Sequence, residues 1–307
     1  MPRDAGSSSV HRYSMASSFF NSIRDLFKDS RTDIGERFQI LREAINGTMS
    51  NFHMALDHRT GKTVGLKILD TEKTAVFEAR FKGLNKPSEG AIAAQLKHPR
   101  IVETFEFGTA KDGRQYILME FVPGTGMNVL LKQEEPKLAG HHHELIREMA
   151  EAIDAVHKAG FIHRDICPRN FIVSPECDSL KLIDFGLTVP AQKEYFLPGN
   201  RTGTPLYMAP EIVRRKMTDQ RVDLFSFGVT AYQLCSNIFP WPSTDTTGKG
   251  ALQHDARPPQ DILELVPNLN KTLARVIMQC INADPNGRPA TAELIVKMLK
   301  TVDSDTN

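Results

Sequence analysis

The segments FIHRDICPRNFIV and LKLIDFGL carry the residues whose types and spacing are best suited to chemistry. Asp165 stands five positions before Asn170 in a polar stretch flanked by apolar, strand-like runs, and a second carboxylate, Asp184, directly precedes Phe185 and Gly186. Asn170 and Asp184 are hard oxygen donors. They can hold Mg²⁺, an ion that keeps several waters and takes its remaining ligands from phosphate oxygens. Asp165 is then free to accept a hydroxyl proton.

Those residues need a scaffold, and the apolar pattern describes one. From Phe38 to Leu69 short apolar stretches alternate with turn signals (FQIL, NGTMSN, FHMAL, DHRTGK, TVGLKIL), which predicts three antiparallel strands joined by hairpins. A helix is predicted from about Ser88 to Lys97 after Pro87, then two strands around IVETFEF and QYILMEF. Beyond Pro123 and Gly124 helical periodicity takes over in ELIREMAEAIDAVHKAG, RVDLFSFGVTAYQLC and LNKTLARVIMQCI. The expected class is α+β and bilobal, with a small β-rich lobe over about 34–121 and a larger α-helical lobe over about 122–301. Residues 1–33 read as a mobile tail bearing one short amphipathic helix, with Phe19, Phe20, Ile23, Leu26 and Phe27 at helical spacing. The run His141 to His143 reads as a solvated helix start rather than a metal site.

Composition removes several function classes. The 307 residues include 38 Lys plus Arg against 37 Asp plus Glu, a formal net charge of +1, so no bulk field draws the chain to nucleic acid or anionic lipid. Cys167, Cys177, Cys235 and Cys280 show neither zinc spacing nor the density of a disulfide scaffold, which favours a reducing compartment. No stretch reaches the roughly 18 to 20 apolar residues of a transmembrane helix, and no apolar signal-peptide core is visible. A cytoplasmic protein is the expectation.

Three motifs in order complete the pattern: His163, Arg164, Asp165 and Asn170; Asp184, Phe185 and Gly186; Ala209, Pro210 and Glu211. Together they resemble the eukaryotic-type protein kinase family, and the resemblance covers about residues 36 to 300. It implies ATP and Mg²⁺ as cofactors and a protein as substrate. It also implies that Lys67 in GLKIL holds the α- and β-phosphates with Glu89 as its partner. By the same resemblance Asp223 braces the loop backbone, Arg288 pairs with Glu211, and Met119 fits the gatekeeper position. The backbone of Glu120 to Val122 would then meet adenine, and Ile172 joins the cofactor-binding set.

The chain departs from the family at several points. Counting back from Lys67 places Ile45, Gly47 and Ser50 at the three glycines of the phosphate-covering loop, so only Gly47 survives. Phe52 stands where a valine usually roofs adenine and Gly65 where an alanine usually faces it, which suggests a volume exchange. Cys167 replaces a lysine two positions after Asp165, and Arg169, four after it, is expected to supply the missing positive charge. Gly83, Pro87 and Gly90 crowd the start of the Glu89 helix, so a short or switchable helix is expected.

The segment RTGTPLYMAPE resembles the substrate loop of serine/threonine kinases, with Thr204 set to contact Asp165, whereas the position of Arg169 resembles tyrosine kinases. Thr188, Tyr195, Thr202 and Thr204 are hydroxyls in the segment that would form the activation loop, and a phosphate on Thr202 would pair with Arg164. The reading is a protein serine/threonine kinase. Its alternatives are a pseudokinase scaffold that binds nucleotide or partners, and a small-molecule phosphotransferase of related fold.

Overall fold

The computed structural model describes residues 31–46, 50–198, 202–242, 245, 247 and 249–306. The expected amino-terminal amphipathic helix and Gly47 lie outside these residues.

All five expected strands form: β1 Phe38–Asn46, β2 Ser50–Asp57, β3 Lys62–Leu69, β4 Thr104–Thr109 and β5 Gln115–Glu120. They make one antiparallel sheet in the order β1-β2-β3-β5-β4. Strand parity decides what β3 offers to each side. Val64, Leu66 and Ile68 face a small apolar cluster with Phe38, Ala55, Tyr116 and Leu118. Gly65, Lys67 and Leu69 therefore face the opposite way, toward the second lobe. Behind the sheet the Arg37 guanidinium grips Asp57 at 3.1 Å and Glu106 at 2.7 Å, tying the end of β2 to β4.

The helices of this lobe differ from the expectation. Helix α1, Thr71–Glu78, was not foreseen, although Asp70 caps it by accepting the Lys73 N–H at 3.0 Å. Phe77 and Phe81 meet edge to face at 5.3 Å below it. The next helix, α2, spans only Glu89–Ala93, short as Gly83, Pro87 and Gly90 lead one to expect, and does not reach the expected end at about Lys97. Past Ala93 the bonds tighten to the i to i−3 pattern, with Gln95 donating to Ile92 and Leu96 to Ala93. His98, directly before Pro99, is biased against helix. Gly90 is needed where it stands, because a β-carbon there would lie 2.6 Å from Phe107 on β4.

The second lobe is built on α3 Met127–Gln133, α4 His142–Lys158, α5 Arg221–Ser236, α6 Lys271–Cys280 and α7 Ala292–Leu299. Helix α5 is buried along most of its length, and Gly228 lets it approach α6 so closely that a β-carbon would sit 2.6 Å from Cys280. Short strands hold the chemistry-bearing loops: β6 Thr125–Gly126, β7 Phe161–Ile162, β8 Phe171–Val173, β9 Leu180–Leu182 and β10 Val189–Pro190. One sheet orders β6-β8-β9, while β7 pairs with β10. The 163–170 loop is thus fixed at both ends, and so is the 183–188 segment.

The histidine run is a correction. His142 opens α4, but His143 is buried, and both rings meet the carboxylate of Asp305, at 3.2 and 2.8 Å. All four cysteines are free thiols. No described helix is long and apolar enough to cross a membrane.

Candidate active site

The 163–170 loop takes its shape from a single buried carboxylate. Asp223, at the start of α5, accepts the backbone N–H groups of His163 and Arg164, each at 2.8 Å, and the His157 ring nitrogen at 2.9 Å. Burial works to raise the Asp223 pKa, yet these donors hold it below the usual carboxylate range. His163 is also enclosed, and burial lowers its pKa, so the imidazole is neutral. Its Nδ1 accepts the Asp165 N–H at 3.3 Å. Arg164 adopts a φ of +66° between these anchors, a conformation costing roughly 1–3 kcal/mol in a non-glycine residue.

Four donors then fix the Asp165 carboxylate. Thr204 gives its N–H at 2.9 Å and its hydroxyl at 2.7 Å to Oδ1. Arg169 Nη2 at 2.9 Å and Asn170 Nδ2 at 3.1 Å donate to Oδ2. The expected contact between Thr204 and Asp165 is therefore made. Cys167 is buried, with its sulfur 3.5 Å from the Thr204 hydroxyl, and burial pushes the thiol up to about 12. It carries no charge at neutral pH.

Across the cleft, the Lys67 ammonium lies 2.5 Å from Glu89 and 2.9 Å from Asp184. Burial works to lower the Lys67 pKa, but the two carboxylates outweigh it and hold the amine protonated. Asp184 also accepts the Gly186 N–H at 2.9 Å, and despite partial burial its pKa falls to about 2. Glu89 is the more enclosed acid, and its pKa is raised by burial while Lys67 opposes the shift. The sharp turn that aims Asp184 has a φ of +67°, and Gly186 leaves room for both acids: a β-carbon there would lie 3.2 Å from Asp184 and 3.3 Å from Glu89. Phe185 packs edge-on against His163 at 5.4 Å, tying this turn to the loop.

The residues expected around a purine fall in two groups. Gly65, Phe52 and Met119 come together on the sheet: a β-carbon on Gly65 would lie 3.0 Å from both other side chains. Ile172 belongs to the second lobe, where its Cγ2 is 3.1 Å from a β-carbon placed on Gly124. Between them runs the connection from β5, in which the Glu120 N–H donates to the Glu103 carbonyl at 2.9 Å and the Glu120 carboxylate pairs with Lys181. Val122 follows, half-buried.

Sequence reasoning did not anticipate how closely residues 187–198 and 202–207 are held. Thr188 and Thr202 are buried, and Tyr195 is buried with its hydroxyl donating to the Leu84 carbonyl at 2.5 Å. Arg164 holds the Tyr195 carbonyl at 2.7 Å, while its Nε and Nη1 and the Thr202 hydroxyl find no hydrogen-bond partner among the described residues. No local signal marks Tyr195 as a pin, since its contact is 111 residues away in the chain. Beyond this segment the Arg288 fork clasps Glu211 at 2.7 and 2.8 Å, the pairing the motifs implied.

The donor set suits a hard divalent cation. Asn170 uses its amide nitrogen on Asp165, so its Oδ1 is an acceptor without a partner among the described residues. Asp184 engages Lys67 and Gly186 through Oδ1, and its Oδ2 is in the same position. Two oxygens of the required type thus border one cleft beside a protonated amine.

The sequence matches the protein kinase domain family over residues 38–299. It is 32% identical over 274 residues to serine/threonine-protein kinase pkn3 of Myxococcus xanthus, covering 84% of this chain and 48% of that protein. It is 29% identical over 279 residues to the probable serine/threonine-protein kinase CPE1738 of Clostridium perfringens, covering 89% and 39%. With serine/threonine-protein kinase PknB of Mycobacterium tuberculosis it shares 28% over 267 residues, covering 84% and 42%. The chain spans less than half the length of these curated relatives.

Proposed function

The chain belongs to the protein kinase domain family, and from that premise we propose that it transfers the γ-phosphoryl group of ATP to serine or threonine hydroxyls of a protein. The observation that carries this reading is the Asp165 carboxylate, fixed from both sides by four donors within one cleft of Lys67, Asn170 and Asp184. Asp165 orients the acceptor hydroxyl and takes its proton. Lys67, protonated and steered by Glu89, neutralises and positions the α- and β-phosphates. Arg169 adds positive charge beside the reacting group in place of the lysine absent at position 167. Asn170 and Asp184 would hold Mg²⁺, which supplies charge neutralisation on the phosphates.

Phe52, Gly65, Met119 and Ile172 would enclose adenine, with the Glu120 carbonyl and the Val122 backbone as its polar partners. Gly47 would contribute to the phosphate cover. The catalytic domain is assigned to residues 34–301, divided near residue 121. Serine or threonine is favoured as acceptor by the bonds from Thr204 to Asp165, which keep the substrate-side wall close to the base. Phosphorylation of Thr202, with Arg164 as its partner, would require the segment to open first, because Thr202 is buried. No observation among the described residues favours the scaffold alternative.

The test is incorporation of γ-phosphate from Mg²⁺-ATP into the protein itself and into generic acidic and basic proteins, with phosphoamino-acid analysis. Label in phosphoserine or phosphothreonine that vanishes in Asp165→Ala supports the reading. ATP binding with no transfer to any acceptor rejects it.

A further inference from the structure

A polar depression adjoins the Asp165 loop and is not used by any residue assigned above. Its volume is about 300 Å³, and Asn128 and Lys132 of α3, Pro168, Tyr207, and Gln233 and Asn237 at the end of α5 line it. Two of its walls meet at the reacting centre. Pro168 follows Asp165 by three residues, and Tyr207 follows Thr204 by three, while Thr204 itself is bonded to Asp165 at 2.7 Å. A peptide whose hydroxyl reaches Asp165 therefore passes a neighbouring side chain over this depression.

The lining has one sign of charge. Lys132 is exposed and makes no ion pair among the described residues, and no lining residue is a carboxylate. Gln233 is oriented by its neighbour: its Oε1 accepts the Tyr207 hydroxyl at 2.5 Å, which leaves the Nε2 amide as donor. Burial raises the Tyr207 pKa, so the phenol remains the donor in that bond. Pro168 carries no N–H to compete, and among the described residues Lys132 is the one charged residue of the lining.

We propose that this depression is a specificity subsite that receives an acidic side chain, aspartate or glutamate, close to the phosphorylated hydroxyl of the protein substrate. The carboxylate meets the Lys132 ammonium and the Gln233 amide. A lysine or arginine at the same peptide position faces an uncompensated cation and is rejected. The proposal rests on the kinase reading and narrows its substrate class.

The experiment uses the whole chain and a set of serine peptides identical except for one position, moved in turn from four residues before to four after the serine, carrying Glu, Gln or Lys. Phosphate transfer is measured as kcat/KM. Binding of the same peptides with alanine in place of the serine is measured by fluorescence anisotropy, so that recognition is read without turnover. At one position Glu is expected to exceed Lys about five- to tenfold in both assays, mainly through KM, and the margin shrinks as salt is raised. Lys132→Glu and, separately, Gln233→Glu are expected to reverse the order. Transfer without a positional preference, or a preference that neither variant changes, overturns the subsite and leaves the kinase reading intact. A Glu preference in binding that both variants reverse, with no transfer to any peptide, upholds the subsite and rejects phosphotransfer.

Discussion

The ring of Phe52 fills the space that a side chain at Gly65 would claim: its Cε2 and Cζ lie 3.0 Å from the position of a β-carbon there, and Met119 Cγ lies equally near. Both residues depart from their family's usual pair, and they depart together. Gly65→Ala should push the ring and Met119 aside at a cost of roughly 1–3 kcal/mol, the range for overpacking. It should lower ATP affinity several-fold in a calorimetric titration. Adding Phe52→Val should recover most of that loss, giving a coupling of about 1 kcal/mol or more between the two sites. Simple additivity of the single effects would end the exchange idea.

Arg169 and Cys167 flank the same carboxylate with unlike chemistry. The guanidinium is bonded to Asp165 at 2.9 Å, whereas the thiol, pushed up to about 12 by burial, is neutral. Removing a charge that acts on the transition state typically lowers turnover on the order of 10²-fold. Arg169→Ala should therefore reduce kcat by about that factor, with the KM for ATP little changed, and Arg169→Lys should recover part of it. Cys167→Ala should cost less than about fivefold. Equal small losses in steady-state assays would remove Arg169 from the mechanism.

How far the sequence carries depends on the distance over which an interaction acts. Asp165, Asn170 and Asp184 stand out because their spacing is local, and Lys67 stands out only through the resemblance of GLKIL to the family's third strand. The length of α2 was overestimated, since its periodicity does not register the tightened turn before Pro99. Helix α1 was missed although Asp70 is a sound cap, because its eight residues bury only Phe77 and show little apolar pattern. His143 was read as solvated, yet its partner Asp305 stands 162 residues away. Nothing within a local window indicates that the chain returns there. The hold of Leu84 on Tyr195 belongs to the same class.

Two buried histidines contribute to the response of stability to acid. His254 lies tilted against Trp241, ring centroids 4.5 Å apart, and is bonded to the Met208 carbonyl at 2.9 Å, and burial lowers its pKa, as it does for His163. In the unfolded chain each imidazole takes a proton near pH 6.5, while in the folded protein it does so only at lower pH. The unfolded state therefore binds more protons below about pH 6.5, and stability falls as pH drops through that value. The midpoint of urea unfolding should decline from pH 7.5 to pH 5.5, and His254→Gln should flatten the decline. An unchanged slope in the variant would show that His254 does not contribute.

Arg288 is wholly enclosed, and its fork reaches both Glu211 oxygens while further donors reach the carbonyls of Asn282, Arg221 and Ala283. Its guanidinium also lies over the Phe225 ring at 5.0 Å. Such a pair adds little relative to an apolar replacement of both partners, but losing one member strands the other without solvent. Glu211→Ala should thus destabilise the protein by about 3–5 kcal/mol in urea unfolding. Arg288→Lys should not preserve stability, because an ammonium cannot span two carboxylate oxygens and three carbonyls at once. Arg288→Met combined with Glu211→Leu should cost less than either single change, since no buried charge is then left unpaired. A double variant as unstable as the sum of the singles would show that the carbonyl contacts, and not the ion pair, anchor this corner.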